Sequence, residues 1–242
     1  MRVTRTFVDL PLQAGVSVQL PDDAAAHLGR VLRLQPGDTC VLFNGDGNDY
    51  TARLAEIGKK AGTAVVESAQ VRTNESPLRI TLIQGIARGD KMDWILQKAT
   101  ELGVAQIVPV HSQRGEVKLD GERARKRHEH WRQVVISACE QSGRATVPTV
   151  APPCDLVSMP IDAPVCLLLE PTAGADLRTL KLQNAAVAIA IAIGPEGGWS
   201  ERDLSQLEAA GFSGLRLGPR ILRTETAGIA AIAALQAHFG DF

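Results

Sequence analysis

The stretch Ile193-Gly194-Pro195-Glu196-Gly197-Gly198-Trp199-Ser200 decides the fold of the second part of this chain. It follows an apolar run, 185–193, which is too short to cross a membrane and has the β-branched residues typical of a buried parallel strand. Ser200 and Asp203 have the spacing of a capping box, and apolar residues continue at helical spacing until Gly211. The predicted order is strand, glycine loop and helix. In an open α/β sheet a loop at this place binds the ligand.

The composition of this loop excludes the two common phosphate-binding motifs. A P-loop requires a lysine, and no lysine occurs after Lys181. A dinucleotide fingerprint requires Gly-x-Gly-x-x-Gly, whereas Pro195 and Glu196 stand here, and the Glu196 carboxylate would repel a pyrophosphate. Glycine backbone can approach a flat base closely, which suits an adenosyl group without phosphates. The alternative is that the glycines only make a tight strand-to-helix turn.

A second stretch, 217–227, reads Leu-Gly-Pro-Arg-Ile-Leu-Arg-Thr-Glu-Thr-Ala and begins at the end of a short predicted strand, 215–217. The helix that follows, 227–239, has only Gln236 and His238 as conventionally polar residues. We therefore expect it to be buried on most of its circumference, against its own sheet and against another subunit.

Two arginines, Arg220 and Arg223, stand beside this apolar helix. Buried guanidinium groups need partners, and the carboxylates of Glu225 and Glu196 are the candidates. A role in binding a ligand is compatible with such pairing.

Composition places the chain among ordinary globular proteins. It has 242 residues, of which 45% are hydrophobic and 22% charged, and its N-terminal residues do not form a targeting segment, so a cytoplasmic protein without membrane contact is expected. The four cysteines show no Cys-x-x-Cys pair and no histidines at ligand spacing, which favours free thiols over a metal site or disulfides. They are Cys40, Cys139, Cys154 and Cys166.

Basic and acidic residues are unevenly distributed along the chain. Residues 112–147 hold eight Lys/Arg against five Asp/Glu, and residues 148–242 hold six against ten. The basic segment can meet nucleic-acid phosphates, or it can be a solvated helix face with its own acids nearby.

The pattern changes at a polar linker, 71–77. Before it, short alternating segments and the turn Asn44-Gly45-Asp46-Gly47 predict an all-β part with one helix at 24–32. After it, apolar strands alternate with helices, which predicts a largely parallel sheet in a doubly wound α/β domain. The predicted strands are 7–10, 17–20, 40–43, 50–57, 63–71, 80–84, 107–110, 165–169, 187–193 and 215–217. The predicted helices of the second part are 91–102 and 122–142, and those that follow the two quoted stretches.

The two quoted stretches closely resemble those of the SPOUT-class RNA methyltransferases, in particular the RsmE family, which methylates uridine N3 in small-subunit ribosomal RNA. The resemblance runs the length of the chain and includes the blocks 27–33, 89–93, 98–104 and 138–144. Gly115 departs from the pattern, since many members carry serine or cysteine there. A side-chain role at that position is therefore unsupported.

This resemblance implies two domains. Residues 1–72 are expected to form a small PUA-like β-barrel that binds RNA. Residues 78–242 are expected to form a SPOUT-type α/β domain whose parallel sheet ends in a C-terminal trefoil knot. It also implies a homodimer. Knots are rare in ordinary topologies, so this expectation rests on the resemblance alone.

The implied activity is transfer of a methyl group from S-adenosylmethionine to N3 of one uridine in 16S rRNA, within the assembled small ribosomal subunit and without a metal. Arg223 and Arg114 are the candidates for stabilising the uracil anion. Glu196 either accepts the N3 proton or only anchors its loop. The expected cofactor-binding residues are Leu169, Glu170, Pro171, Gly194, Pro195, Gly197, Gly198, Leu217, Gly218, Ile221, Leu222 and Thr226. The expected RNA-binding residues are His27, Arg30, Arg33, Lys91, Lys118 and Arg144.

Two other classes of function remain open. One is a SPOUT methyltransferase that acts on another nucleotide. The other is a ribosome-assembly factor that binds rRNA without catalysis. Cofactor binding separates the second from a methyltransferase.

Overall fold

The computed structural model describes residues 4–58, 61–181 and 188–242. The chain forms two compact units. One consists of residues 1–75 together with 139–147, and the other of residues 76–138 together with 148–242. The segment 139–147, which lies within the second part of the sequence, thus packs with the first unit.

The first unit is built on a curled sheet with the strand order β1-β3-β4-β5-β2. Among the described strands of this unit, β1 and β3 are parallel, and the other neighbours are antiparallel. The turn at Asn44-Gly45-Asp46-Gly47 joins β3 to β4, as the sequence predicts. The strands are β1 (Arg5–Phe7), β2 (Ser17–Leu20), β3 (Thr39–Phe43), β4 (Asn48–Ile57) and β5 (Gly62–Val71).

The helix of this unit differs from a regular α-helix. Helix α1 (Asp22–Ala26) widens into a π-helical turn over His27–Val31. Arg33, just after this turn, has φ 58°, a left-handed conformation unusual for a residue with a side chain. Leu28 is buried in the core of the unit, which leaves Arg30 and Arg33 exposed beside it.

The second unit contains a parallel sheet with the order β12-β10-β11-β6-β7-β8, and β9 pairs with β7. The central strands are buried on both faces, which explains their continuous apolar sequence. Its strands are β6 (Arg79–Gly85), β7 (Gln106–His111), β8 (Thr149–Val150), β9 (Cys154–Asp155), β10 (Val165–Leu169), β11 (Ala188–Ile193) and β12 (Ser213–Leu215). Val187, the predicted first residue of β11, lies outside the described residues.

The last strand, β12, ends earlier than the sequence predicts. Leu215 pairs with Leu169, which is the last residue of β10, so the ladder has no partner for Leu217. The segment from Leu217 onward leaves the sheet and becomes part of the site described below.

In the described part of the chain, four α-helices follow strands of this sheet, and the last residues of the second one, 139–142, belong to the first unit. They are α2 (Asp90–Glu101), α3 (Gly121–Ser142), α4 (Glu201–Ala209) and α5 (Thr224–Phe239). The buried residues of α5 lie on one face, at Gly228, Ala231, Ile232 and Leu235. Ile229 and several alanines on the other faces are half-buried within this chain, and the expectation that another subunit covers them stays a prediction.

All four cysteines are free. Burial raises the pKa of Cys40 to about 11 and that of Cys139 to about 12, so both thiols are protonated at neutral pH. Among the residues that the structure describes, no helix has the length and apolar character needed to span a membrane.

Candidate active site

A cavity of about 790 Å³ lies at the carboxyl ends of β10, β11 and β12. This is the edge where parallel α/β sheets bind their ligands, and the volume lies within the range of small-molecule sites. Its described lining residues are Arg88, Lys91, Leu169, Glu170, Pro171, Thr172, Ile193, Gly194, Pro195, Glu196, Gly198, Trp199, Leu204, Leu215, Leu217, Gly218, Arg220, Ile221, Leu222, Arg223, Thr224, Glu225 and Ala227.

The glycine loop after β11 forms one side of the cavity. It leads into α4 through the predicted capping box, in which Asp203 N–H donates to Ser200 Oγ at 3.1 Å and Ser200 N–H donates to Asp203 Oδ2 at 3.0 Å. Gly198 has φ 67°, which favours glycine over any residue with a Cβ. The loop therefore has a fixed exit, and at Gly194 and Gly198 its backbone lines the cavity without a side chain of its own.

The end of β6 packs directly against this loop. A Cβ added at Gly85 would lie 2.6 Å from Pro195 Cδ and 2.7 Å from Pro195 N, closer than real Cβ atoms come. The two backbones are thus in direct contact, and only glycine fits at position 85 without displacing the loop.

A buried polar chain connects the same region to α5. Gln84 is 0% exposed, and its Nε2 donates to Thr224 Oγ1 at 3.0 Å. Thr224 Oγ1 in turn donates to the Gly194 carbonyl at 2.6 Å. Because buried polar groups are costly when unpaired, this chain fixes β6, the glycine loop and the first turn of α5 relative to one another.

The segment between β12 and α5 forms the opposite side. Leu217, Gly218 and Leu222 line the cavity, and Gly218 has φ 73°. Ile221 also lines it but is 83% exposed, so it covers the opening rather than filling the interior. Thr226, predicted from the sequence as a cofactor contact, is exposed and is not among the described lining residues, whereas Thr224 is.

The third side is the segment after β10. Leu169, Glu170 and Pro171 line the cavity, and Thr172 Oγ1 donates to Glu170 Oε1 at 3.0 Å. Glu170, after β10, and Glu225, in the first turn of α5, give the cavity two carboxylates.

Glu196 is held by residues just before and at the start of α2. Its Oε1 accepts from Lys91 Nζ at 3.0 Å and from the Arg88 N–H at 3.2 Å. Burial alone would raise the pKa of Glu196, but the hydrogen bonds from the backbone and from Lys91 outweigh burial and lower it. The partner is a lysine, so the expectation that an arginine side chain pairs with Glu196 is wrong.

The two candidate arginines occupy different positions. Arg223 is exposed, precedes the first turn of α5 and lines the cavity. Arg114 is exposed and is absent from the described lining, although its main chain packs on the glycine loop: a Cβ at Gly197 would lie 3.0 Å from Arg114 O. The neighbouring Gln113 N–H donates to both carboxylate oxygens of Asp203, at 3.1 and 3.2 Å, which ties the Arg114 loop to the start of α4.

The predicted RNA-binding residues divide between the two units. His27, Arg30 and Arg33 belong to the first unit, and Lys91 and the exposed Lys118 to the second. All of these stay predictions.

The prediction that Arg144 binds RNA is wrong. Arg144 is 4% exposed, and its guanidinium makes two hydrogen bonds to the Glu75 carboxylate, from Nε at 3.0 Å and from a terminal nitrogen at 2.5 Å. A buried arginine paired in this way has a structural role and does not present its charge to a phosphate.

Sequence reasoning missed several residues of the site. Gln84 and Thr224 are ordinary polar residues in apolar surroundings, and only their placement at strand and helix ends gives a sequence signal. No sequence pattern indicates a role for Arg88, although it follows β6 at the same edge of the sheet. Trp199 ends the glycine loop and lines the cavity at 8% exposure.

Comparison with known proteins agrees with this geometry. The RNA methyltransferase domain family matches residues 74–236, and the RNA methyltransferase PUA domain family matches residues 20–67. The chain belongs to this family of RNA methyltransferases.

Its relatives include proteins named ribosomal RNA small subunit methyltransferase E. The protein of that name from Buchnera aphidicola (Schizaphis graminum) is 32% identical over 99% of this chain and 98% of its own length. The one from Bacillus subtilis is 29% identical over 96% of this chain and 95% of its own length. These matches place the chain in the E family of small-subunit rRNA methyltransferases.

Solved structures of the family share the whole fold. Ribosomal RNA small subunit methyltransferase E from Neisseria gonorrhoeae, bound to S-adenosylmethionine, is 44% identical with a TM-score of 0.90 over 100% of both chains. A Legionella pneumophila protein in complex with S-adenosylmethionine is 37% identical with a TM-score of 0.95, again over 100% of both chains.

Proposed function

We propose that this protein transfers a methyl group from S-adenosylmethionine to N3 of one uridine in 16S rRNA. Family membership along the whole chain supports small-subunit rRNA methylation, and the two full-length neighbours solved with S-adenosylmethionine support the cofactor. The choice of uracil N3 rests on the resemblance of the stretch 217–227 to the uridine-specific enzymes. The single observation that carries the proposal is the cavity between three backbone-rich loops.

The residues of this cavity fit the cofactor. Its sides are formed by Gly194, Gly198 and Gly218 and by apolar side chains, so a flat adenine can lie against backbone. S-adenosylmethionine carries a positive sulfonium and a positive amino group. The carboxylates of Glu170 and Glu225 complement that charge, and one carboxylate oxygen of Glu225 is buried without a hydrogen-bond partner among the described residues. Phosphate-binding features are not needed for this ligand.

Catalysis of this reaction depends more on aligning the methyl donor with uracil N3 than on activating either reactant. The methyl group leaves the sulfonium for N3 of uracil while N3 loses its proton, giving N3-methyluridine, S-adenosylhomocysteine and a proton. Holding the two reactants in line and excluding water accounts for much of the rate. We assign Arg223 to the uracil oxygen that becomes negative as N3 is deprotonated. Arg114 is a second candidate, since its loop packs on Gly197 beside the cavity.

We assign Glu196 to anchoring rather than to proton transfer. Its carboxylate accepts from Lys91 and from the Arg88 N–H, and its lowered pKa makes it a weak base at neutral pH. The anchoring holds the glycine loop against the segment that begins α2.

The remaining elements of the proposal concern the substrate complex. Residues 1–72 form the RNA-binding PUA-like domain, with His27, Arg30 and Arg33 toward RNA, and residues 78–242 form the methyltransferase domain, with Lys118 as a further RNA contact. The C-terminal segment forms a trefoil knot. The half-buried apolar face of α5, which includes Ile229, is the contact of a homodimer. The enzyme acts in the cytoplasm on the small subunit, on an unpaired or flipped-out uridine, because N3 lies on the pairing edge.

The test is an assay with tritiated S-adenosylmethionine on small ribosomal subunits that lack their native methylations, followed by nucleoside analysis of the RNA. Label in N3-methyluridine is expected. Label in another nucleoside would reject the uracil assignment and keep the methyltransferase. Absence of label together with absence of S-adenosylhomocysteine binding would favour an assembly factor.

A further inference from the structure

One tryptophan is exposed on α2, the helix whose residue Lys91 lines the cavity. All three tryptophans are among the described residues: Trp131 is 1% exposed and Trp199 8%, whereas Trp94 on α2 is 45% exposed. A single exposed apolar side chain is common on protein surfaces and indicates nothing by itself. The surroundings of Trp94 are what give it significance.

Trp94 lies in the middle of the solvent face of α2, because Met92, Ile95, Leu96 and Ala99 form its buried face. At 3.6 residues per turn, Lys91 lies roughly 60° from Trp94 on one side and Asp93 roughly 100° on the other. Lys91 lines the cavity and pairs with Glu196. Trp94 therefore neighbours the cavity through Lys91.

The other flank of Trp94 leads to a basic stripe on α3. Asp93 Oδ2 lies 2.6 Å from His130 Nε2, which brings the two helices together. Arg123, Arg127 and His130 are spaced at i, i+4 and i+7, so they share one face of α3, and both arginines are exposed. A path over the surface thus runs from positive charges on α3, across an indole ring, to the cavity.

We propose that Trp94 is a stacking platform for a base of the RNA substrate next to the methylated uridine, and that Arg123 and Arg127 hold the adjoining phosphates. This inference rests on the proposed function. Aromatic rings stack on bases of any sequence, and arginines neutralise phosphates, so the two components have separable effects. Asp90, exposed one turn before Trp94, disfavours a phosphate there and leaves base stacking as the contact that Trp94 offers.

The test compares the wild type with Trp94→Ala, Trp94→Phe and Arg127→Ala, each saturated with S-adenosylhomocysteine. The probes are a short single-stranded oligouridylate and an abasic ribose-phosphate oligomer of the same length, titrated at several salt concentrations.

Trp94→Ala should weaken oligouridylate binding by about fivefold or more, and it should leave the affinity for the abasic probe and the salt dependence of binding unchanged. Trp94→Phe should retain most of the affinity. Arg127→Ala should weaken both probes and reduce the salt slope by about 1.

The control is Val157→Ala, which truncates another exposed apolar residue of the same unit, 76% exposed, and should bind like the wild type. Equal affinity of Trp94→Ala and wild type for oligouridylate would overturn the inference. So would a change in sedimentation caused by Trp94→Ala, since it would place the indole in a subunit contact. If Trp94→Ala binds oligouridylate more weakly than the wild type, but the wild type methylates no small subunit, the result would instead count against the proposed function.

Discussion

Thr224 Oγ1 donates a hydrogen bond of 2.6 Å to the carbonyl oxygen of Gly194, thirty residues earlier in the chain. The same hydroxyl accepts from Gln84, so one side chain joins the glycine loop, the end of β6 and the start of α5. The two stretches that stand out in the sequence are thus physically connected beneath the cavity.

Replacing Thr224 by valine should weaken S-adenosylhomocysteine binding by about fivefold or more. Valine has a similar shape but no hydroxyl, so the partly buried Gly194 carbonyl loses its partner, at a cost of about 1 kcal/mol. Thr224→Ser retains the hydroxyl and should bind nearly as well as the wild type. Calorimetric titration of the three proteins measures the difference. If valine and serine variants bind equally well, the hydrogen bond does not position the loop.

Replacing Gly85 by alanine should displace the glycine loop, because the added Cβ would lie 2.7 Å from the backbone nitrogen of Pro195. We expect a lower melting temperature and loss of S-adenosylhomocysteine binding. Gly174→Ala is the matched control, since its added Cβ has no heavy atom within 4 Å and Gly174 does not have positive φ. Thermal unfolding with and without ligand gives both quantities. If S-adenosylhomocysteine stabilises Gly85→Ala as much as it stabilises the wild type, the close contact between Gly85 and Pro195 does not position the loop.

Glu196→Gln tests the anchoring role and its pH dependence. Since the pKa of Glu196 is lowered in the folded protein, its stabilising effect is complete above the ordinary value of 4.5 and is lost as the pH falls through the lower folded pKa. The pair is partly exposed, so the variant should melt roughly 1–3 °C lower at neutral pH. The difference between variant and wild type should shrink in acid.

The same variant distinguishes an anchoring role of Glu196 from a role as the general base. Methylation by Glu196→Gln should persist, because the carboxylate does not take the N3 proton. A fall in kcat of about a hundredfold or more, with S-adenosylhomocysteine affinity intact, would instead identify Glu196 as the general base.

Arg223→Ala should lower the rate of methylation by about a hundredfold to a thousandfold, which is typical for removal of one donor that stabilises a developing anion. Arg223 is exposed, so the fold and S-adenosylhomocysteine binding should remain. Arg202→Ala, at an exposed position on α4, serves as the control. Incorporation of tritium into small subunits is the readout. Wild-type activity in Arg223→Ala would remove this residue from the mechanism.

Local patterns predicted much of this fold because they determine local structure. The capping box at Ser200 and the hairpin turn at Asn44-Gly45-Asp46-Gly47 are confirmed, since each depends on residues that are neighbours in sequence. Most of the predicted cofactor-binding residues line the cavity, because parallel strands bring their carboxyl ends to one edge.

The errors concern contacts between distant segments. A run of basic residues cannot reveal that Arg144 pairs with Glu75, sixty-nine positions away. Likewise, the length of β12 is set by its neighbour β10 and not by its own sequence. Thr224 and Thr226 are equally polar, and only the direction of the first turn of α5 places Thr224 inward and Thr226 outward.

The contact between Gly85 and Pro195 has a practical consequence for redesign. Because Gly85 has no side chain to shorten and its backbone contacts Pro195 directly, no space can be created there, and a larger residue at position 85 would require a compensating change at position 195. Ile221 is in the opposite situation, since it borders the cavity while most of its surface is in water. An engineered enzyme that accepts a bulkier sulfonium donor should therefore be sought by shortening Ile221, with the contact beneath the loop left as it is.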